Sequence, residues 1–490
     1  MTSDFSQYDG VALGKMVRSG DLDPLDLLRW TLSAIDRVNP ALNAVIHRMD
    51  EEAHRVANYW RNELAAGRAD NVPFCGVPFL LKDLLAEYAG APFNEGCRAL
   101  RDNVSQIDTE LVVRMKAAGL VVCGKTNTPE FGGSPVTEPE LHGVTRNPWN
   151  LEHTPGGSSG GSAAMVAAGV VPMAHANDGG GSIRIPAACC GLFGMKPTRG
   201  RNPLGPLFGD LGGGIIYEHV VSRTVRDSAA MLDATAGPEV GEPYGLPPVV
   251  RPYSEEVLRE PGKLRIGFIN RLPFGWHETT KPHEECVAGV EATAKQCAAL
   301  GHEVVDVDAD TFAQPDMPAV FGPRFGGFTA HVMRYWARVL GRELTREDVE
   351  DATWDWYQGA LNSNPAEYLE AVEIAQRFSR RMARWYEDGG FDVLLTPTLA
   401  VPPVRIGAFT PSDDAPGQWL LDILNFVAFT YAYNLTGQPA MSVPLVQSSG
   451  GLPIGMQFVG RFGDEATLFR LAAQLEQAHP WIGRLPTVHC

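Results

Sequence analysis

The chain predicts an α/β fold with a largely parallel sheet, and three observations predict it. After the first 60 residues, short apolar runs of strand length alternate with stretches of helical periodicity. Hydrophobic residues make up 44% and charged residues 20% of the 490, a globular composition able to cover a sheet with helices. No run reaches the roughly 20 apolar residues a membrane span needs. The longest small-apolar stretch, Ala163 to Ala176, is broken by Gly169 and Pro172 and carries His175. Length alone allows about three domains or one large one.

The elements follow in order. Residues 1–60 read as helices. Asp23 before Pro24 is an N-cap with proline at the first helical position, and Leu27, Leu28, Leu32 and Ile35 then keep helical spacing. Asn39-Pro40 is expected to end that helix. Val77 to Leu81 and Leu120 to Cys123 are strand-like, with helical periodicity between them over Thr109 to Ala118. Ser162 to Gly169 is small and helix-forming. Pro247 to Pro261, rich in proline and charge, is the best linker candidate. Beyond it come a strand at Leu264–Ile269, a helix at Glu284–Leu300 and a strand at Glu303–Val307. Residues 315–390 are mainly helical and carry Trp336, Trp354, Trp356, Tyr357, Trp385 and Tyr386. Those aromatics are either core stripes of amphipathic helices or the wall of an apolar substrate site. Val393–Leu395 and Met441–Leu445 return as buried strands.

Charge excludes several functions. With 58 acids against 41 bases the net charge is -17, a poor match for nucleic acid or an anionic membrane. Met1-Thr-Ser-Asp-Phe5 shows neither the basic n-region nor the apolar h-region of a secretory signal. The eight cysteines form no C-x-x-C pair and no zinc-spaced cluster, so they read as reduced thiols of a cytoplasmic protein, with no metal and no cofactor expected.

Two textual motifs fail on context. Gly119 to Thr126 fits the P-loop pattern, but Leu-Val-Val-Cys in its middle is itself a strand and leaves no loop for phosphate. Gly157-Ser-Ser-Gly-Gly161 fits the nucleophile elbow, but Asn150 to Pro155 is not the strand an elbow needs. None of the twelve histidines sits in a context that marks a catalytic base.

The informative stretch is Gly156 to Arg184. Gly156-Gly-Ser-Ser-Gly-Gly-Ser162 is followed by a small-residue helix and then by Asp178-Gly-Gly-Gly-Ser182-Ile-Arg184. Glycines around serines let backbone N–H groups converge on a developing oxyanion. A serine without histidine needs another base, and a desolvated lysine can serve. Lys82 lies in the apolar run Gly76-Val-Pro-Phe-Leu-Leu-Lys82-Asp83, which should bury it. Lys125 is the rival, in the more polar Gly-Lys-Thr-Asn setting.

These segments together resemble the amidase signature family. The matching pieces are Gly76 to Asp83, Gly124-Lys-Thr-Asn-Thr-Pro-Glu-Phe131, Asn147-Pro-Trp-Asn150, Pro155 to Ala164, Asp178 to Ala188 and Gly194-Met-Lys-Pro-Thr198, with Ser158 and Ser182 24 apart. Thr436 to Ala440 and Pro453 to Phe458 extend the likeness over nearly the whole chain. The family pattern Gly-Thr-Asp-Thr-Gly-Gly-Ser reads here Ala176-Asn-Asp-Gly-Gly-Gly-Ser182, so Gly179 replaces a threonine.

The resemblance implies one domain over 1–490, a central twisted mixed β-sheet covered on both faces by helices. Within it lie N-terminal helices at 1–60, a signature core at 70–240 and a helical substrate-wall insertion at 315–390. It implies a catalytic triad of Lys82 as base, Ser158 as bridging serine held by a cis peptide bond, and Ser182 as nucleophile. Gly179, Gly180, Gly181 and Ser182 would form the oxyanion hole, with Ser159, Asp178 and Arg184 in support. The implied activity is hydrolysis of carbon–nitrogen bonds through a Ser182 acyl-enzyme. Bulky apolar or aryl amides, cyclic or linear amide oligomers and carbamates (urethanes) are the implied substrates. Within the family, Thr137 to Glu140, Gly143 to Trp149 and His479-Pro-Trp481 resemble 6-aminohexanoate cyclic dimer hydrolases and urethane-cleaving amidases. The alternative is a partner-dependent glutamyl-tRNA(Gln) amidotransferase subunit. The expected partner is a small-molecule amide or carbamate, with a homodimer as an option. Loops 130–142, 203–218 and 315–360 are expected to shape the pocket.

Overall fold

A computed structural model describes residues 4–273, 275, 281–410 and 418–490. The first three residues of the N-terminal segment read above for a signal lie outside the described residues. Asp23 caps the helix Pro24–Leu42 as its spacing predicts, its carboxylate accepting from the Leu25 N–H at 2.8 Å. That helix does not stop at Asn39-Pro40. Pro40 sits in its last turn, where a missing N–H removes one bond without breaking the helix. The Asn39 side chain then fastens the exit, its Oδ1 accepting from Ala44 and Val45 N–H, each at 2.8 Å.

The strands are β1 (Val45–Arg48), β2 (Pro78–Lys82), β3 (Val121–Thr126), β4 (Met173–Asp178), β5 (Phe193–Lys196) and β6 (Tyr217–Ser222). They continue as β7 (Arg265–Phe268), β8 (Glu303–Asp306), β9 (Val393–Pro397), β10 (Ala440–Gln447) and β11 (Pro453–Gly460). Eight of them form one mixed sheet in the order β4-β6-β5-β10-β11-β9-β7-β8, and β1-β3-β2 form a smaller one. The expectation of a largely parallel sheet is corrected: in the large sheet only β9-β7 and β7-β8 are parallel, the other neighbours being antiparallel. Alternating strand and helix signals report element type but not strand direction, and β10 and β11 close as a hairpin that no crossover separates. The stretch Pro247–Pro261 does not divide the chain, since β7 to β9 beyond it continue the same sheet. Within it Tyr253 is buried against Phe469, ring centroids 5.3 Å apart.

The two faces of the large sheet differ because side chains alternate along each strand. Met195, Met441, Val443, Met456 and Phe458 point to one face and pack on the helices Val225–Thr235, Glu284–Ala299 and Glu465–Ala478. The opposite face carries the small and polar residues Gly194, Ser442, Gly455 and Gln457, where it receives the helix Arg184–Cys190, and the apolar Leu394 and Val459 beside them. Gly194 and Gly455 permit that approach: a Cβ on either would lie 2.6 Å from the Cβ of Ala187 or Ala188. The helix Gly160–Ala167 is buried all round, packed on β2, β4 and β6, which explains its lack of any polar face. Among the described residues, no helix is long and apolar enough to cross a membrane.

Candidate active site

Three segments converge on one cavity. Lys82 ends β2, every residue of which is buried. Ser158 lies in the bend before the helix Gly160–Ala167, and its peptide bond with Gly157 is cis. Ser182 lies between the end of β4 and the helix Arg184–Cys190. Ser158 and Ser182 both line the cavity, at 2% and 8% exposure, with Lys82 wholly enclosed behind them.

The Lys82 Nζ lies 2.6 Å from Ser158 Oγ and 2.5 Å from Asn177 Oδ1. Both neighbours are neutral, and none of the described ion pairs involves Lys82. Burial pulls its pKa from 10.5 down to about 7, although Glu218, Asp178 and Glu95 act in the opposite sense from further off. The ammonium is therefore poised to be neutral near pH 7. Asn177 is a site residue that the sequence reading missed. Its Nδ2 donates to the Leu84 carbonyl at 3.0 Å, which fixes Oδ1 toward the lysine. Asn177 occupies the place of a threonine in the Gly-Thr-Asp motif, and that substitution was the only available signal.

Asp178 is the hub of the glycine loop. Burial alone would raise its pKa, but two hydrogen bonds from Arg184 (2.9 and 3.0 Å) and one from Asn434 (2.7 Å) hold it down to about 2. Its Oδ1 also accepts from the Gly181 N–H at 2.7 Å. The set of four expected oxyanion donors thereby shrinks to three: Gly181 N–H is engaged, while the N–H groups of Gly179, Gly180 and Ser182 have no acceptor among the described residues. Gly181 has φ +134, and a Cβ there would meet Thr430 Oγ1 at 2.5 Å. Thr430 in turn donates to the Gly180 carbonyl at 2.6 Å. Arg184 is fully buried and reaches across to Gln457 (2.8 Å) and Asn434 (2.6 Å), tying the loop to β11 and the helix Tyr431–Thr436. Ser159 donates to the Asn177 carbonyl at 3.3 Å and so braces β4.

Lys125 is as enclosed as Lys82, but with a carboxylate beside it. It is fully buried in β3, its Nζ 3.3 Å from Asp83 and 4.7 Å from the centre of the Phe93 ring. One group among the described residues has metal-ligand chemistry: His47, Asp83 and His142, with ligand atoms within 4.8 Å of one another. Asp83 there already faces the Lys125 ammonium, and His47 Nε2 is held by Asn94 Oδ1 at 2.5 Å.

The cavity encloses about 920 Å³, its open mouth included. All three loops expected to shape it contribute: Phe131 and Gly132, Ile215 and Ile216, and Phe321, Phe325, Phe328 and Trp356. Of the six aromatics singled out in 315–390, only Trp356 lines it. Trp336 belongs to one buried cluster, with the half-buried Trp354 and Tyr357 packed against it, and Tyr386 to another, with the half-buried Trp385 against it. The helix Gln418–Phe426, which supplies Trp419, Leu420 and Ile423, was not anticipated.

Comparison with known proteins places these features in context. Residues 26–469 match the sequence family described as Amidase. The chain is 38% identical over 487 residues to the 6-aminohexanoate-cyclic-dimer hydrolase of Paenarthrobacter ureafaciens, covering 98% of this chain and 96% of that one. A solved structure of 6-aminohexanoate cyclic dimer hydrolase with substrate superposes with a TM-score of 0.92 at 36% identity, covering 99% of each chain. A bacterial aryl acylamidase of the amidase signature family superposes with a TM-score of 0.87 at 29% identity, covering 98% of each.

Proposed function

Starting from the fact that this chain belongs to the amidase family and is an amide hydrolase by that membership, we propose that it works through Lys82, Ser158 and Ser182 on bulky apolar amides or carbamates. The observation that carries this reading is the 2.6 Å approach of a fully buried lysine, without a carboxylate partner, to Ser158 Oγ.

Neutral Lys82 accepts the Ser158 proton as Ser158 accepts that of Ser182, and Ser182 Oγ attacks the carbonyl carbon. The N–H groups of Gly179, Gly180 and Ser182 receive the oxyanion, on a loop that Asp178 and Arg184 hold rigid. Ser158 returns the proton to the leaving nitrogen. Water, activated by the same relay, then clears the acyl-enzyme. A carbamate presents the same planar carbonyl next to nitrogen and fits the same sequence of steps.

The substrate class follows from the wall. Phe321, Phe325 and Trp356 pack edge to face and stacked within 4.9–5.9 Å of one another, a surface suited to an aryl or alkyl group. The names of the two relatives, a cyclic amide dimer hydrolase and an aryl acylamidase, agree with that class. The test is kcat/KM of the isolated chain on a nitroanilide and on the matched nitrophenyl carbamate, with Ser182→Ala as blank. Hydrolysis of either, abolished in Ser182→Ala, supports the reading. Hydrolysis that survives Ser182→Ala, or that requires a second protein chain, overturns it.

A further inference from the structure

Gly179 is a glycine that its own backbone does not require. Its φ is not positive, unlike that of Gly181, so a side chain would sit there without strain. One contact stands in the way. A Cβ on Gly179 would lie 2.8 Å from Ile216 Cδ1 and, its chain neighbours aside, within 4 Å of no other atom of the described residues. Where the family pattern has a threonine, this chain has removed the side chain and given its space to Ile216. Both residues line the catalytic cavity. The side chain of Ile216 therefore stands over one of the three free oxyanion donors.

The loop that delivers Ile216 is fastened on both sides of it. Before it, Arg324 of the wall helix donates to the Gly212 and Gly213 carbonyls at 3.2 and 2.7 Å, and Arg199 Nε donates to the Gly214 carbonyl at 2.6 Å. Ile215 is 2% exposed and belongs to the core. After it, Tyr217 opens β6 and its hydroxyl donates to the Asn434 carbonyl at 2.7 Å. Ile216 is half-buried between these anchors, so its side chain is a fixed part of the cavity and does not swing aside with the loop.

In the proposed steps Ser158 hands its proton to the leaving nitrogen, which therefore lies on the Ser158 side of Ser182. Gly132 is the neighbour there, a Cβ on it lying 3.2 Å from Ser158 Oγ. With the carbonyl oxygen on the N–H groups of Gly179, Gly180 and Ser182, the acyl atom is the substituent left to the Gly179 side. We propose that Ile216 determines specificity by filling the space over Gly179, admitting only acyl groups without a branch at the atom next to the scissile carbonyl. A methylene chain or the alkoxy oxygen of a carbamate meets that condition. The substituted α-carbon of a side-chain-bearing amino acid does not, so peptides of such residues are excluded. The inference rests on the amide-hydrolase reading and deepens it.

Two pairs of isomeric nitroanilides test this through kcat/KM. N-(4-nitrophenyl)butanamide and N-(4-nitrophenyl)-2-methylpropanamide differ only by a branch beside the carbonyl. N-(2-methyl-4-nitrophenyl)butanamide and its 3-methyl isomer place a methyl group near to or far from the leaving nitrogen instead. Ile216→Ala should raise the branched-to-unbranched acyl ratio ~10-fold over the native chain, the worth of about one methylene in an apolar pocket, and move the methyl-isomer ratio less than ~2-fold. Ile216→Val, the milder change, should raise the acyl ratio ~3-fold and serves alone if the alanine variant does not fold. Gly179→Ala should cost ~10-fold in the native background and less than ~3-fold on top of Ile216→Ala, because the two side chains compete for one space. An unchanged acyl ratio, an equal shift in the methyl-isomer ratio, or additive losses from Gly179→Ala and Ile216→Ala would each overturn the assignment. Hydrolysis of N-(4-nitrophenyl)butanamide by the native chain, absent in Ser182→Ala, is read separately. If it occurs while the ratios do not move, the amidase reading stands and only the role of Ile216 fails; if native and Ile216 variants cleave none of the four, both fail.

Discussion

Lys82 gives a prediction that can be checked without knowing the substrate. In the unfolded chain it titrates at the ordinary 10.5, and in the fold burial brings it to about 7. Between those values the unfolded state binds a proton that the native state does not. Stability must therefore rise with pH across that window, by up to about 5 kcal/mol at 1.36 kcal/mol per pH unit. Replacing Lys82 by Met removes this term. The difference in unfolding free energy between native protein and Lys82→Met, measured by urea at several pH values, should shift by ~2 kcal/mol in favour of the native chain between pH 7 and 9. The lost contacts to Ser158 and Asn177 add a constant offset but no slope. The same group sets the kinetics. kcat/KM should climb with unit slope to about pH 7 and flatten above, so activity at pH 6 is about a tenth of the plateau. A difference that is flat between pH 7 and 9, or an acid limb centred above pH 9, would refute the desolvated base.

Three further outcomes are expected. Asp178→Asn should cost ~3–5 kcal/mol in urea unfolding, because it strands the fully buried Arg184 charge; a loss under about 1 kcal/mol would show that the pair is not what holds the loop. Lys125→Met should destabilise by a similar ~3–5 kcal/mol through the abandoned Asp83, while the acid limb of kcat/KM stays at about 7; movement of that limb would transfer the base role to Lys125. Trp356→Ala should lower kcat/KM on an aryl amide by roughly 10- to 100-fold, mainly through KM, since it removes an apolar wall; a pure kcat effect would contradict that place for it.

The site was more legible in the sequence than the sheet. Glycine and serine clusters name their chemistry because few other roles need such residues at that spacing, and Lys82 was marked by the apolar run around it. Strand direction left no such mark. β4 was hidden because Met173–Asp178 holds no β-branched or aromatic residue, and β1 because four residues carry too little periodicity. The braces of the glycine loop were invisible for another reason. Asn434, Thr430 and Gln457 come from segments about 250 or more residues away from Asp178 and Arg184, and no local pattern distinguishes them from ordinary core polar groups. The aromatic wall was found only by region, since helical spacing cannot say which side of an amphipathic helix meets a cavity and which meets the core.

Among the described residues three lysines are completely buried, and what each is given in return sets them apart. Lys125 receives a carboxylate, Asp83 at 3.3 Å, which opposes without cancelling the downward pull of burial on its pKa. Lys196 donates to the Pro197 carbonyl at 3.0 Å and lies 3.7 Å over the Tyr217 ring, in a setting whose burial pushes its pKa far down and whose neighbour Arg184 adds to that push. Among the described residues its Nζ makes no hydrogen bond to a hydroxyl. Lys82 alone of the three is placed against a serine hydroxyl and an amide oxygen, both neutral, with its carboxylates held at a distance. A base must be neutral at working pH and must touch the proton it removes. Lys125 and Lys196 fail the second condition, since one faces a carboxylate and the other a backbone carbonyl, and Lys82 lies against the Ser158 hydroxyl.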